Sequence, residues 1–280
     1  MIYKTLHNGD KIPVIGQGTW GMGGGLKPDY SQDNVALEAI RSAIELGYTH
    51  IDTAEMYGGG HAEELVGKVI RSFKREDLFI TSKVWEITFD YKLTIEALEG
   101  SLKRLGTDYL DLYLIHRPNK GIPLDATFRA LNDLIDQGKV KHLGVSNFNL
   151  EQLKQAQALA DTPLATNQVP YHLHQRTYVV NGVLAYCQEN NILLTAYSPI
   201  GRGNLIDDPT VKQIAENYQA SPAQIALYWL IRQPNVIALP MSTNNDHLRE
   251  NLGALQLELP EGDVEKLDFI ELPEEVLFPE

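Results

Sequence analysis

The chain has 280 residues, 43% of them hydrophobic and 22% charged, a composition typical of a globular protein that can bury a large core. Its formal net charge of −13 argues against nucleic acid or an anionic membrane as a partner, because such partners are bound by clustered Lys and Arg. No stretch approaches the roughly 18 uninterrupted apolar residues of a membrane span, and the first residues lack a basic segment followed by an apolar one.

The first predicted element is a short β-hairpin. Residues 3–6 and 11–14 can form its strands, and they flank the turn signal His7-Asn8-Gly9-Asp10. Because this hairpin precedes the first repeating unit of the chain, we expect it to plug the floor of a barrel.

Short apolar runs typical of strands then alternate eight times with helical segments, the pattern of a parallel sheet with helical crossovers. The predicted strands are residues 14–17, 49–52, 78–82, 110–115, 142–146, 165–169, 192–197 and 236–239. The helical segments carry apolar residues at i, i+3 and i+4, such as Leu37, Ile40 and Ile44. Near the C-terminal end one helix follows another, and the second starts near Ser221-Pro222.

These elements predict the α/β class and a (β/α)8 TIM barrel, with an N-terminal β-hairpin and extra helices near the C-terminus. We expect a single domain over residues 1–280. The lone cysteine, Cys187, excludes an intramolecular disulfide, fits a reducing compartment and is expected to be a buried structural thiol. We therefore expect a cytoplasmic location.

A glycine-rich run, Gly16-Gln17-Gly18-Thr19-Trp20-Gly21, formally matches the dinucleotide fingerprint G-x-G-x-x-G. That fingerprint must open a helix at once, whereas here three more glycines follow and the helical pattern starts only around Ser31. The run is better interpreted as a tight turn at the mouth of the barrel.

Four ionisable residues fall at or after predicted strand ends. Asp52 ends the second strand, Tyr57 lies in the loop after it, Lys83 follows the third strand and His116 ends the fourth. In a barrel the C-terminal strand ends surround one pocket, so these residues are expected to converge there.

The four residue types also fit one reaction. A tyrosine has an ordinary pKa of about 10 and donates a proton poorly near neutrality. A neighbouring Lys83 lowers the pKa of Tyr57, Asp52 holds Lys83 charged and in place, and His116 hydrogen-bonds the substrate oxygen. This arrangement predicts the protonation of a developing alkoxide.

The sequence around these residues resembles the aldo-keto reductase family from Ile12-Pro13 to Glu250-Asn251. The motifs that carry the resemblance are Gly16-x-Gly18-Thr19-Trp20, Asp52-Thr53-Ala54-Glu55-Met56-Tyr57, Lys83, Ile115-His116, Gly144-Val145-Ser146-Asn147-Phe148, Asn167-Gln168-Val169 and Ala196-Tyr197-Ser198-Pro199. The resemblance implies a catalytic tetrad of Asp52, Tyr57, Lys83 and His116, and a nicotinamide cofactor bound across the mouth of the barrel.

The cofactor site implied by the resemblance consists of Gly18, Thr19, Trp20, Asp52, Ser146, Asn147, Gln168, Tyr197, Ser198, Pro199, Gly201, Arg202, Gly203, Pro240, Met241, Ser242, Thr243, His247, Glu250 and Asn251. Ser146, Asn147 and Gln168 are expected to hold the carboxamide, and Tyr197 to stack on the nicotinamide ring. In the following loop, small residues and backbone N–H groups can surround the pyrophosphate.

The implied substrate contacts are Trp20, Tyr57, Trp85, His116 and Arg117. Trp20 and Trp85 can line an apolar pocket, or belong to the core at the barrel rim. Because the resemblance implies that an aromatic residue is frequent just after His116, Arg117 is unusual. It either makes the pocket more polar or forms a salt bridge at the rim, and the sequence leaves both open.

At the adenosine end, many NADP-preferring members of the resembled family have Lys where Met241 stands and Arg where His247 stands. Ser242, Thr243, the N–H groups of a helix starting near Asn244 or Asn245, and Arg249 remain able to receive a phosphate. The family prior favours NADP(H), and NAD(H) is possible because Met241 and His247 replace basic residues.

Three other interpretations compete with a carbonyl reductase. One is a regulatory or binding module on the same fold, and another is a lyase or hydrolase that uses Lys83 as a Schiff-base nucleophile or a metal-bound water. The third is a metal site at His172 and His174, for which no third ligand has suitable spacing, so we expect a structural role and no metal. The expected partner is a small-molecule carbonyl substrate, without nucleic acid or membrane, bound by a monomer or small homo-oligomer.

Overall fold

The computed structural model describes residues 1–86, 90–119 and 121–272. Within these residues, an antiparallel hairpin of β1 and β2 precedes eight parallel strands that pair in the order β10-β9-β8-β7-β6-β5-β4-β3. The strands are β1 Tyr3–Thr5, β2 Lys11–Pro13, β3 Gln17–Gly18, β4 His50–Asp52, β5 Phe79–Val84, β6 Leu110–Ile115, β7 Val140–Ser146, β8 Thr166–Pro170, β9 Leu193–Tyr197 and β10 Val236–Leu239. The predicted α/β barrel with an N-terminal hairpin is confirmed.

The first and last parallel strands meet and close the barrel. Gly16 N donates to Ala238 O at 3.0 Å, and Ala238 N donates to Val14 O at 2.8 Å. Residues 14–16, which belong to the first predicted strand, therefore pair with β10, although regular pairing with β4 begins only at Gln17. Gly16 allows this close approach, because a Cβ there would lie 2.7 Å from both the His50 and the Leu239 side chains.

Helices alternate with the strands and continue beyond them. They are α1 Asp33–Leu46, α2 His61–Ile70, α3 Tyr91–Leu105, α4 Asp125–Asp136, α5 Leu150–Leu159, α6 Thr177–Val180, α7 Val183–Glu189, α8 Pro209–Asn217, α9 Pro222–Ile231, α10 Asn245–Gly253 and α11 Glu261–Asp268. Ser221 caps α9 through a capping box with Gln224, which confirms the predicted start of that helix. Because α1 starts only at Asp33, the glycine-rich run does not open a helix.

The hairpin covers the end of the barrel where the strands begin. His142, near the start of β7, contacts the Asp10 carboxylate at 2.9 Å, and Lys4 donates to Gln233 O at 2.9 Å. Leu6 and Ile12 are buried in the same apolar cluster as residues of β6 and β8–β10. This end is therefore closed, and the opposite end is left for a site.

Cys187 is buried in α7, where burial raises its thiol pKa to about 12 and keeps it protonated. Among the described residues, no helix combines the length and apolar character that a membrane span requires. The single domain over residues 1–280 stays a prediction.

Candidate active site

The four predicted catalytic residues lie together at the C-terminal ends of β4, β5 and β6. Asp52 is the last residue of β4, His116 directly follows β6, and Tyr57 opens a 3-10 turn, Tyr57–Gly60, after β4. Lys83 differs from the prediction, because it lies within β5 rather than after it. Its side chain therefore points into the structure and is 0% exposed.

Lys83 is the centre of the group. Its Nζ donates to Asp52 Oδ1 at 2.5 Å, to Thr53 O at 2.9 Å and to the Tyr57 hydroxyl at 3.2 Å. An ammonium has three N–H donors, so all of them are satisfied in a fully buried position. The lysine is thus held in one place with the tyrosine oxygen beside it.

The pKa shifts follow from burial and from this charge pair. Burial lowers the pKa of Lys83, but the Asp52 charge and the hydrogen bonds outweigh it and raise that pKa above its ordinary value. Burial raises the pKa of Tyr57, and the Lys83 charge acts in the opposite direction without cancelling it. The expected lowering by Lys83 is present, but the net shift of Tyr57 is upward because desolvation of the phenolate is larger.

His116 faces Tyr57 across the site, with 5.7 Å between the ring centroids. Burial, followed by the charges of Lys83 and Arg117, lowers the pKa of His116 to about 2, so the imidazole is neutral. Its Nδ1 is buried without a partner in the described structure, whereas Nε2 is not enclosed in this way and the residue lines the cavity. The single N–H of a neutral ring on Nε2 can therefore donate into the cavity.

Gln168 has a contact that the sequence did not reveal. Its Nε2 donates to Asp52 Oδ2 at 2.8 Å across the barrel, so Lys83 and Gln168 bind opposite oxygens of one carboxylate. Gln168 was expected to hold a carboxamide. In this structure its amide nitrogen positions Asp52, and Gln168 also lines the cavity.

A chain of polar contacts fixes the side of the site formed by β7 and β9. The Tyr197 hydroxyl donates to Asn147 Oδ1 at 2.9 Å, and Asn147 Nδ2 donates to His116 O at 3.1 Å and to Ser146 Oγ at 2.9 Å. Ser146 in turn donates to Gln168 O at 2.8 Å. The Tyr197 ring is thereby anchored at its tip while it lines the cavity.

Two acids next to the turn that carries Tyr57, the buried Glu63 and the half-buried Glu55, were not among the predicted site residues. Glu63 accepts from Ser82 Oγ at 2.5 Å and from Arg104 Nε at 2.6 Å, and Glu55 accepts from Trp85 N at 2.5 Å. Glu63 is fully buried, so it depends on these donors for charge compensation. They tie the turn to β5 and to α3.

These residues surround one cavity of about 590 Å³. Its predicted lining residues are Gly18, Thr19, Trp20, Asp52, Tyr57, His116, Arg117, Ser146, Asn147, Gln168, Tyr197, Ser198, Pro199, Arg202, Gly203, Pro240 and Met241. Met56, Ile200 and Leu239 also line it and were missed. All three lie next to strand ends or predicted site residues. The expectation that C-terminal strand ends surround one pocket could therefore have found them.

Other predicted residues lie outside this lining. They are Lys83, Trp85, Gly201, Ser242, Thr243, His247, Glu250 and Asn251. Lys83 lies beneath the cavity, and Trp85 reaches the site through His116, with 5.0 Å between the two ring centroids. Asn251 is buried and hydrogen-bonds Tyr48.

The start of α10 is already engaged by its own residues. Asn244 caps the helix and accepts from the N–H groups of Asp246 and His247, while Arg249 pairs with Asp246 at 3.2 Å. The predicted helix start near Asn244 is confirmed. The sequence predicted that the N–H groups of this helix start and Arg249 could bind a phosphate. Two of those N–H groups and the Arg249 guanidinium already have other partners.

His172 and His174 belong to a turn that contacts the loop after β9. His174 Nε2 contacts Asp208 Oδ2 at 2.8 Å, and Asp208 caps α8. Burial, with the His174 charge, lowers the pKa of His172 to about 4. The described residues contain no group of three or more His, Cys, Asp or Glu able to hold a metal ion.

The lining residues include polar groups and an aromatic ring of the kinds that bind a nicotinamide. Hydroxyl and amide groups of Ser146, Asn147 and Gln168 meet beside an anchored aromatic plane, which suits a carboxamide and its ring. The loop after β9 contributes a cation, Arg202, to the same cavity. The backbone of this loop has positive φ at residues 201–203.

A family model described as Aldo/keto reductase family matches residues 14–271. The chain belongs to the aldo/keto reductase family. It is 38% identical to the methylglyoxal reductase YeaE of Escherichia coli over 263 residues, which cover 92% of this chain and 90% of that protein. Among solved structures, it resembles the thermostable aldo-keto reductase Tm1743 with the inhibitor epalrestat, at a TM-score of 0.93 and 47% identity over 96% of this chain and 99% of that one.

It also resembles an aldo-keto reductase from Klebsiella pneumoniae in complex with NADPH, at a TM-score of 0.87 and 36% identity over 96% and 95% of the two chains. As a member of the family, this aldo/keto reductase is an NAD(P)H-dependent enzyme that reduces carbonyl groups. The regulatory alternative is not favoured. Lys83 is also poorly suited to a Schiff base, because its amine is buried, charged and bound to three acceptors.

Proposed function

We propose that this aldo/keto reductase converts aldehydes, including small 2-oxoaldehydes, to alcohols with NADPH as the preferred donor and Tyr57 as the proton donor. The observation that carries the proposal is the position of Lys83 Nζ, which contacts the Asp52 carboxylate at 2.5 Å and the Tyr57 hydroxyl at 3.2 Å. The name of the E. coli relative supports 2-oxoaldehydes, and the NADPH complex of the Klebsiella protein supports the donor.

In this proposal the substrate carbonyl oxygen accepts hydrogen bonds from Tyr57 OH and His116 Nε2. A bound reduced nicotinamide supplies the hydride that adds to the carbonyl carbon. Tyr57 passes its proton to the oxygen as negative charge develops there, and the phenolate that remains lies beside the Lys83 ammonium. Tyr57 then regains a proton from solvent.

The pKa directions support these roles. The raised pKa of Tyr57 keeps its proton in place at neutral pH, so the donor form predominates before reaction. The lowered pKa of His116 leaves a neutral ring that orients the oxygen without competing as an acid. Lys83 stabilises the charge that appears on Tyr57 after proton transfer, and Asp52 keeps Lys83 protonated.

For the cofactor, Ser146, Asn147 and Gln168 are proposed to hold the carboxamide, Tyr197 to pack on its ring, and the loop with Ser198, Pro199, Gly201, Arg202 and Gly203 to receive the pyrophosphate. Pro240, Met241, Ser242, Thr243, His247, Glu250 and Asn251 are proposed for the adenosine end. Since Met241 and His247 replace basic residues and Arg249 pairs with Asp246, we propose a modest preference for NADPH with measurable NADH use. A cytoplasmic location and a monomer or small homo-oligomer stay predictions.

The test is a turnover assay with the purified chain. Consumption of NADPH is followed by absorbance with methylglyoxal, a simple aldehyde and a ketone, and the alcohol product is identified by mass. We expect turnover with the aldehydes and slower turnover with NADH. Binding of NADPH without reduction of any carbonyl would instead support a binding module.

A further inference from the structure

Arg117 occupies a defined place in the cavity wall. It directly follows His116, lines the cavity, and its guanidinium carbon lies 5.9 Å from the centroid of the Trp85 ring. Trp85 packs edge-on against His116, with 5.0 Å between the ring centroids. The guanidinium is therefore oriented by an aromatic face next to the residue proposed to hold the substrate oxygen.

In the part of the chain that the structure describes, Arg117 forms no ion pair or hydrogen bond. This is notable in a protein with 37 acidic and 24 basic residues, where a carboxylate partner is easily available. The sequence left open whether Arg117 forms a salt bridge at the rim. Among the described residues it forms none. The exposed Arg117 side chain lines the cavity.

The other charges around the cavity have partners or proposed roles. Asp52 is bound by Lys83 and Gln168, so its negative charge is already compensated. Arg202 lies in the loop proposed for the pyrophosphate. Among the described residues, Arg117 is the remaining cation of the cavity lining.

The field of Arg117 reaches both sides of the cavity. Burial raises the pKa of Tyr57 and of Tyr197, and the Arg117 charge opposes that shift at both residues. A substrate near Tyr57 would therefore lie within reach of the same charge.

We propose that Arg117 binds a carboxylate of the substrate, so that the preferred substrates are aldehydes or ketones that carry a carboxylate in the same molecule. A guanidinium presents parallel N–H groups that match the two oxygens of a carboxylate. This inference rests on the proposed carbonyl reduction and adds a substrate class to it. Neutral aldehydes are reduced at the same site without the contact to Arg117.

The test compares matched substrates that differ in one charge. The pairs are 4-carboxybenzaldehyde with 4-formylbenzamide, and 4-oxobutanoate with 4-oxobutanamide, and kcat/KM is measured for each. In the unchanged protein we expect the carboxylate of at least one pair to be the better substrate. In Arg117→Met the carboxylate-to-amide ratio of kcat/KM should fall by about 10- to 100-fold, the size of one charge-assisted contact.

Two further variants separate recognition from general charge. Arg117→Lys keeps the charge but loses the paired N–H geometry, so its ratio should lie between those of the unchanged protein and Arg117→Met. Arg129→Met removes an exposed arginine of α4 outside the cavity lining and should leave the ratio unchanged. Reduction of the amide substrates by Arg129→Met should stay within about threefold of that by the unchanged protein.

Benzoate provides a readout without turnover of a charged substrate. As a competitive inhibitor of 4-formylbenzamide reduction, it should bind more weakly to Arg117→Met by a similar factor. An unchanged carboxylate-to-amide ratio in Arg117→Met, or an equal fall in Arg129→Met, would overturn the role of Arg117. If the unchanged protein reduces none of the aldehydes, the proposed function fails instead.

Discussion

Replacing Tyr57 by Phe removes one oxygen and leaves the rest of the site in place. The Tyr57 ring is 8% exposed and packs edge-on against Trp20 and His116, contacts that a phenylalanine ring retains. Lys83 loses one of its three acceptors but keeps Asp52 and Thr53 O. The substitution therefore deletes proton donation with little change in shape.

The expected loss can be estimated from these contacts. General acid catalysis contributes about 100- to 10,000-fold, or about 2.7 to 5.5 kcal/mol of the activation free energy. The substitution also removes the hydrogen bond between Lys83 and the Tyr57 hydroxyl. Its loss lowers the free energy of unfolding by about 1.5 to 3 kcal/mol at most, and the partners that Lys83 retains offset part of this. We expect kcat for methylglyoxal to fall at least 100-fold while the Kd of NADPH stays within about twofold.

The assay is steady-state NADPH absorbance, with cofactor binding followed by protein fluorescence. Tyr171→Phe is the matched control, because its hydroxyl donates a partly buried hydrogen bond to Gln233 at 2.8 Å and it lies outside the cavity lining. That variant should lose stability but keep kcat. A Tyr57→Phe enzyme with kcat within tenfold of the unchanged protein would refute Tyr57 as the proton donor.

Lys83→Met removes the charge that lowers the pKa of Tyr57, so the pH profile of residual alcohol oxidation should move upward; an unmoved profile would separate the two residues. Met241→Lys adds a cation at an exposed position of the cavity, and the NADPH-to-NADH ratio of kcat/KM should rise by about tenfold. His61 contacts the Glu64 carboxylate, and although burial lowers the pKa of His61, its contacts with carboxylates raise it overall. That stabilisation is complete below the ordinary histidine pKa and is lost as pH rises through the raised value, so the Tm difference between the unchanged protein and His61→Gln should be larger at pH 6 than at pH 9.

The order of strands, the hairpin and the convergence of the tetrad could be predicted from the sequence. Apolar runs and amphipathic spacing are local signals, and the barrel geometry then places Asp52, His116 and the turn with Tyr57 at one end. A boundary error of two residues at β5 concealed that Lys83 is inside a strand and fully buried. A charge next to Tyr57 predicts a lowered pKa of its hydroxyl, whereas burial is the larger effect and raises that pKa.

Contacts that join distant elements were outside the reach of the sequence pattern. The bond between Gln168 and Asp52 spans 116 positions and depends on side-chain rotamers across the barrel. The salt bridge between Glu63 and Arg104 compensates a buried charge, which a helical charge pattern does not distinguish from an exposed pair. The same holds for Arg249, whose pairing with Asp246 changes what the adenosine end can offer.

Two halves of the chain carry different parts of the site. Strands β4–β6 carry the proton-transfer group, and strands β7–β10 with their loops carry most of the residues proposed for the cofactor. Substitutions along β9 and β10 can therefore change cofactor choice during evolution while the proton donor stays intact. Gln168 joins the two halves through a contact between side chains, because its amide donates to Asp52. A change at Gln168 would affect both halves at once, so this position should tolerate substitution less than Met241.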